Sequence, residues 1–201
     1  EDYATAARPL KAVADRVVAI EVNLSCPNVE DRSHVFAHSA DATHAAISAV
    51  VGAIGDATPL FAKLSPNVTD LVAIASRAVD AGATGLTLVN TVLGLAVAPE
   101  TRRPKLGAGG GGLSGPPIKA VALRAVWDVS RALPETPIIG TGGVTTGVDA
   151  VEMMLAGASA VGVGTATFAD PRAPLRIASE LQQWCAARGV TQVRDLTGGM
   201  Q

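Results

Sequence analysis

Cysteine is scarce in this sequence: only Cys26 and Cys185 occur in 201 residues. They lie far apart, so no disulfide framework is expected, and the default compartment is a reducing cytoplasm. Nor is there a cysteine cluster for an iron–sulfur centre. Aromatic residues make up 3% of the chain, so the core must be built from small aliphatic side chains. Charge of one sign is lacking as well. The formal net charge is −2, which argues against a broad basic surface for nucleic acid. No apolar run is long enough to span a bilayer, and no signal peptide is visible. His34 and His38 stand four apart but have no third ligand at a familiar spacing. They read as solvated loop residues, and no metal site is expected.

Ala, Val and Gly dominate what is present, a composition suited to parallel strands covered by closely packed helices. Strands are predicted over residues 17–23, 60–64, 85–90, 137–139 and 160–163. Helices are predicted between and around them. The first covers residues 2–16, with Tyr3, Ala6, Ala7, Leu10, Val13 and Ala14 on one face and a kink or delay at Pro9. The next covers 41–54, with Ala42, Ala45, Ala46, Ala49, Val50 and Ala53 inward. A third is capped by Asn67 or Thr69 and ends near Gly82. A fourth starts at Pro116 and buries Ile118, Val121, Ala122, Ala125, Val126 and Val129. A fifth ends at Gly157. The last covers 173–188, with Leu175, Ala178, Leu181, Trp184 and Cys185 on one side. Cys185 reads as core packing. The glycine-rich run before Pro116 is either a flexible linker or a segment of close backbone approach.

Five strand–helix units without a dividing linker read as one domain over 1–201. An open doubly wound sheet and part of a (β/α)₈ barrel both fit. Every strand ends in polar residues or glycine: Asn23 to Asn28, Lys63, Asn90-Thr91, Gly140 to Gly143, and Gly164-Thr165. A doubly wound sheet gathers its ligand residues at one switch point, whereas a barrel brings all its strand ends to one face. The barrel is therefore the expected fold, with this chain covering about the last five units. In that frame Gly142, Gly143, Gly164 and Thr165 follow the last two strands, where barrels often bind phosphate. Lys63, inside an apolar strand, either snorkels outward or points into a polar site. Cys26, closed off by Pro27, can be a base, a nucleophile or a packing residue.

The run Asn23-Leu24-Ser25-Cys26-Pro27-Asn28 resembles the active-site motif of class 1 dihydroorotate dehydrogenases. The resemblance continues through Lys63-Leu64-Ser65-Pro66-Asn67, Val89-Asn90-Thr91-Val92, Gly112-Leu113-Ser114-Gly115, Gly140 to Gly143, and Gly164-Thr165. It covers nearly the whole chain, in order, and looks most like the NAD-dependent subclass 1B. Dihydropyrimidine dehydrogenases are the runner-up; they usually carry histidine where Asn28 stands.

The resemblance implies an FMN-dependent oxidation of dihydroorotate to orotate, in pyrimidine and UMP biosynthesis. It assigns Cys26 as general base and flavin N5 as hydride acceptor, with Lys63 beside the flavin. It gives Asn23, Asn28, Asn90 and Thr91 to the substrate. Lys63, Asn23, Gly115, Gly142, Gly143, Gly164 and Thr165 go to the cofactor. It also implies a homodimer, or a heterotetramer with an iron–sulfur flavoprotein subunit that carries FAD and a [2Fe–2S] cluster. Two departures stand out: the first three barrel strands are missing, and the loop after Asn28 lacks the expected glycines. The 201 residues alone are therefore expected to bind FMN weakly at most and not to turn over dihydroorotate. Readings of another class are a non-catalytic barrel fragment and a barrel binding a phosphorylated metabolite without flavin.

Overall fold

The computed structural model describes residues 2–25, 39–55 and 57–200. Helix α1 (Asp2–Ala7) runs into a 3₁₀ segment (Arg8–Arg16) and then β1 (Ile20–Asn23). Next come α2 (Ala40–Ile54), β2 (Leu60–Lys63), α3 (Leu71–Asp80) and β3 (Gly85–Leu88). Two short antiparallel ribbons follow. One pairs β4 (Val92–Gly94) with β7 (Gly111–Leu113), and the other pairs β5 (Val97–Ala98) with β6 (Arg103–Pro104). A 3₁₀ turn (Pro116–Ile118) leads into α4 (Lys119–Ala132), then β8 (Ile138–Thr141) and α5 (Gly147–Leu155). The chain continues through β9 (Ala160–Gly162), α6 (Ala166–Ala169) and α7 (Ala173–Ala186).

The main sheet is parallel, and its strands lie in chain order, β1-β2-β3-β8-β9. A doubly wound sheet reverses its order at a switch point; this one does not. Its order is that of an arc of a (β/α)₈ barrel. Register and pleat sort the side chains. Val22, Leu60, Ala62, Leu86, Leu88 and Ile138 point to one face and are at most 5% exposed. With them the helices build one continuous core, from Ala7 to Ile177. The opposite, concave face carries Asn23, Lys63, Thr87 and Ile139 in one row and Glu21, Phe61 and Gly85 in another. Phe61 lies across Gly85, where an added Cβ would come within 2.7 Å of its ring.

Several sequence expectations shift. Strand β1 starts at Ile20, and Val17 and Val18 ahead of it are 41% and 93% exposed. Proline lacks the N–H that an α-helix needs, and at Pro9 the first helix becomes 3₁₀. Of its forecast face only Ala7 is buried; Ala6 and Leu10 are exposed. Helix α2 is rotated: Thr43, Ile47 and Ile54 join Ala46 and Val50 inside, while Ala45 faces out. Burying isoleucine removes more apolar area than burying alanine, which favours this orientation. Asp70, not Asn67 or Thr69, caps α3, accepting from the Ala73 N–H at 2.9 Å. Val121 on α4 is exposed. Helix α7 buries Ala173, Ile177 and Cys185, and leaves Leu175 and Ala178 outside. The segment before Pro116 is the pair of ribbons rather than a free linker.

Gly140 sits on the packed face. An added Cβ there would meet Met153 Cγ, lie 2.8 Å from Met153 Sδ and lie 2.9 Å from Ala158 Cβ. Gly140→Ala is expected to destabilise the fold by about 1–3 kcal/mol through overpacking. Denaturant unfolding of the full chain measures this, and an unchanged midpoint would contradict the packing described.

Candidate functional site

All five sheet strands run the same way, so their carboxyl ends share one rim. A cleft opens at that rim. Its walls are Lys63 from β2, Val89 to Thr91 after β3, Ser114 and Gly115 after β7, Thr141 to Val144 at the end of β8, and Gly162, Gly164 and Thr165 at the end of β9. Ile118, from the turn before α4, also lines it. Of the residues singled out from sequence, Lys63, Asn90, Thr91, Gly115, Gly142, Gly143, Gly164 and Thr165 are brought together here. Asn23 stands beside Lys63 in the register, but its Oδ1 turns back to accept from the Ser25 N–H and hydroxyl, each at 3.2 Å. Cys26 and Asn28 lie outside the described residues, as do His34 and His38.

Asn90 ties the end of β3 to the chain beyond β1. Its Nδ2 donates to the Ser25 carbonyl at 3.0 Å and to the Ser25 hydroxyl at 2.8 Å. Its Oδ1 accepts from the Thr91 N–H at 2.7 Å. Asn67, a possible helix cap and the last residue of the Lys63-Leu64-Ser65-Pro66-Asn67 run in the sequence reading, is a second tie. It donates to the Thr91 carbonyl at 2.9 Å and accepts from the Leu93 N–H at 2.8 Å. Thr91 Oγ1 is buried and has no hydrogen-bond partner among the described residues. Gly112 packs against it: a Cβ at Gly112 would meet Oγ1 and lie 2.6 Å from Thr91 Cβ. A buried hydroxyl without a partner is costly unless something else fills the bond.

Lys63 points to the concave face. Its Nζ is 4.0 Å from Glu21, whose other carboxylate oxygen accepts from the Thr87 hydroxyl at 2.6 Å. Both side chains stay partly open, at 28% and 42% exposure, so the pair is a loose one.

The glycines divide into two kinds. Gly142 and Gly143 have φ of 135° and 77°, and a Cβ on either would strike the first turns of α4, 2.7 Å from Ala122 Cβ or 2.9 Å from Lys119 Cα. Both are glycine because of their positive φ and the close approach of α4, by the Ala122 and Ile118 side chains at Gly142 and by the Lys119 backbone at Gly143. Gly164, which also lines the cleft, has nothing within 4 Å of its Cβ position, so neither packing nor φ demands glycine. Among the described residues, the amides of Gly142, Gly143, Gly164 and Thr165 donate to no backbone carbonyl. Unserved N–H groups from two adjacent loops form a donor set suited to a phosphate.

Behind the first loop lies a charged cluster that sequence reading missed. Lys119 Nζ donates to Asp149 at 2.7 Å and to Glu152 at 2.6 Å. Asp149 also accepts from the Thr145 N–H at 2.9 Å, the Thr145 hydroxyl at 2.8 Å and the Thr146 N–H at 2.8 Å. Burial alone would raise this carboxyl's pKa. The bonds from Lys119, Thr145 and Thr146 outweigh burial and hold it well below the carboxylate range. The bonds to Asp149 and then Glu152 raise the Lys119 ammonium above its ordinary value. Thr146 and Asp149 form a capping box at the start of α5, so the Thr-x-x-Asp spacing was the available sequence signal. From the other side, Glu180 accepts from the Gly147 N–H at 2.6 Å and Arg176 donates to the Thr145 carbonyl at 3.1 Å. The Gly147 bond and then Arg176 lower the Glu180 carboxyl's pKa.

Among the described residues, no group of three His, Cys, Asp or Glu could hold a metal ion. None of the helices there is long and apolar enough to cross a membrane.

The chain matches the dihydroorotate dehydrogenase family model over residues 1–184. It is 46% identical to the dihydroorotate dehydrogenase B (NAD(+)) catalytic subunit of Geobacter sulfurreducens. It is 47% identical to the protein of that name from Geobacter metallireducens and 48% identical to that from Pelobacter propionicus. Each alignment covers 100% of this chain and 65% of the relative, so the chain spans just under two thirds of their length. Among solved structures it is similar to DHODH from Eimeria tenella in complex with ferulenol. The TM-score is 0.81 and the identity 28%, over 98% of this chain and 57% of that one. The ligand-free form gives a TM-score of 0.80 at 28% identity, over 98% of this chain and 60% of that one.

The Asp149 cluster carries a pH signature. Its carboxyl has a lower pKa folded than unfolded, so the stability it adds is present above the unfolded value near 3.8. That stability is lost as pH falls from there toward the folded value. Asp149→Asn is therefore expected to lower thermal stability at neutral pH and to flatten its fall in acid. Melting curves at neutral pH and from about pH 5 down to about pH 2 test this. A variant whose stability falls in acid as steeply as the parent's would contradict it.

Proposed function

The chain belongs to the dihydroorotate dehydrogenase family, and from that premise we propose that its cleft binds FMN and serves the oxidation of dihydroorotate to orotate. The observation that carries this reading is the meeting, in one cleft, of the unserved loop amides, the half-buried Lys63 and the unpartnered Thr91 hydroxyl. These features fit a ligand with an anionic phosphate at one end and a hydrogen-bonding ring at the other. The amides of Gly142, Gly143, Gly164 and Thr165 would hold the FMN phosphate, with Gly115 against the cofactor. FMN, when bound, supplies a hydride acceptor at N5.

The chain's own residues do the rest. Lys63 offers a cation to the pyrimidine edge of the ring, where negative charge develops. Asn23, Asn28, Asn90 and Thr91 hydrogen-bond the substrate's carbonyl, amide and carboxylate groups. Cys26, as thiolate, accepts the C5 proton, which is acidified by the adjacent carbonyl. Asn90 has a second task, because its two bonds to Ser25 brace the residue immediately before Cys26.

The curated relatives are named NAD(+)-linked catalytic subunits. By that analogy electrons leave through a partner subunit with FAD and a [2Fe–2S] cluster and end on NAD+, in a heterotetramer built on a homodimer of this chain. With two cysteines, this chain has no cluster ligands of its own. The setting is cytoplasmic pyrimidine biosynthesis.

In a complete eight-stranded barrel that carries this chain, anaerobic mixing of the FMN-loaded protein with dihydroorotate should bleach the flavin, whereas the 201 residues alone should not turn it over. Cys26→Ala should keep FMN bound and slow the bleaching by about 10²–10⁴-fold, the usual worth of a positioned base. The parent rate should rise with pH as the thiol, normally near pKa ~8.5, ionises. Lys63→Ala should lower the flavin potential. Parent-rate bleaching in Cys26→Ala would sink the base assignment, and an unchanged potential in Lys63→Ala would return that lysine to an outward, solvated role.

A further inference from the structure

Lys119 does not serve as a phosphate counter-charge. One ammonium faces two carboxylates, at 2.7 and 2.6 Å, so the cluster is net negative and its field disfavours an anion nearby. Its geometry points to a mechanical role. Gly143 rests on the backbone of Lys119, with its Cβ position 2.9 Å from both Lys119 N and Cα. The Lys119 side chain then reaches Asp149, and Asp149 returns three bonds to Thr145 and Thr146. The loop that bears Gly142 and Gly143 is thus held at its glycines by α4 and at its far end by α5. The residue linking the two holds is Asp149.

We propose that Asp149, through Lys119 and the Thr145–Thr146 turn, is the positioning residue that presents the Gly142 and Gly143 amides to the ligand's phosphate. The inference rests on the FMN reading above. Since those amides have no backbone carbonyl of their own, their direction is set by what holds the loop's ends. A loop ordered before binding loses less entropy when the phosphate arrives. The Glu180 and Arg176 contacts brace the turn from α7 but do not reach the glycines.

The test compares FMN with riboflavin, which has the same ring system and lacks the phosphate. Both are titrated by flavin fluorescence into a complete eight-stranded barrel that carries this chain, and into its variants, at neutral pH. Asp149→Asn and Lys119→Met should raise the FMN Kd by about tenfold, the scale of one charge-assisted bond, with the riboflavin Kd within about twofold. Glu152→Gln, which leaves the turn's bonds to Asp149 in place, should leave both ligands within about twofold. Thr145→Val removes one hydroxyl bond to Asp149 and should weaken FMN by about threefold, giving a milder variant should Asp149→Asn fail to fold. Tight FMN binding by the parent with an unchanged FMN-to-riboflavin ratio in the variants overturns the clamp alone. Equal weakening of both ligands also overturns it, since that marks a purely structural part. A parent that binds no FMN overturns the reading beneath, and the clamp with it.

Discussion

A parallel sheet whose strands follow chain order has one unavoidable consequence: every strand stops at the same rim. Past β1, β2 and β3 the N–H groups of Leu24, Leu64, Val89 and Asn90 still find a carbonyl on a neighbouring strand end, whereas those of Gly142, Gly143, Gly164 and Thr165, past β8 and β9, find no backbone carbonyl among the described residues. Most proteins serve such groups with water, caps or ligands. The four unserved groups belong to residues that line one common cleft. The proposed phosphate subsite rests on that unserved set. The glycines of the first loop let it come close against α4, and Thr165 lines the same cleft.

Charge is distributed to suit this arrangement. Two lysines lie near the cleft, with opposite fates. Lys119 is saturated by Asp149 and Glu152 and acts as a brace. Lys63 has a loose 4.0 Å contact with Glu21, itself engaged by Thr87, and remains the only charged residue among the described residues lining the cleft. A cation that is only half neutralised can respond to charge developing on a bound ring; a saturated one cannot.

The strand ends were legible in the sequence because they are local. A β-branched run followed by amide, glycine or proline needs no tertiary information to be read as a strand and its exit. The loop glycines were legible as a pair of signals, although their two different reasons, packing at Gly142 and Gly143 and open space at Gly164, emerge only in three dimensions. Helix faces were harder. Alanine is common on both sides of α2 and α7, so periodicity left the orientation to be settled by where Ile47, Ile54 and Ile177 could be buried. Val17 and Val18 read as strand yet have no partner to cover them. Lys119 and Asp149 are 30 residues apart on separate helices, a pairing that no spacing rule anticipates.

Amide hydrogen exchange of a complete eight-stranded barrel that carries this chain, with and without FMN, tests the central claim most directly. The account predicts that FMN slows exchange at Gly142, Gly143, Gly164 and Thr165, and that riboflavin protects them far less. FMN binding that leaves those four amides exchanging as they do in the free protein would contradict it.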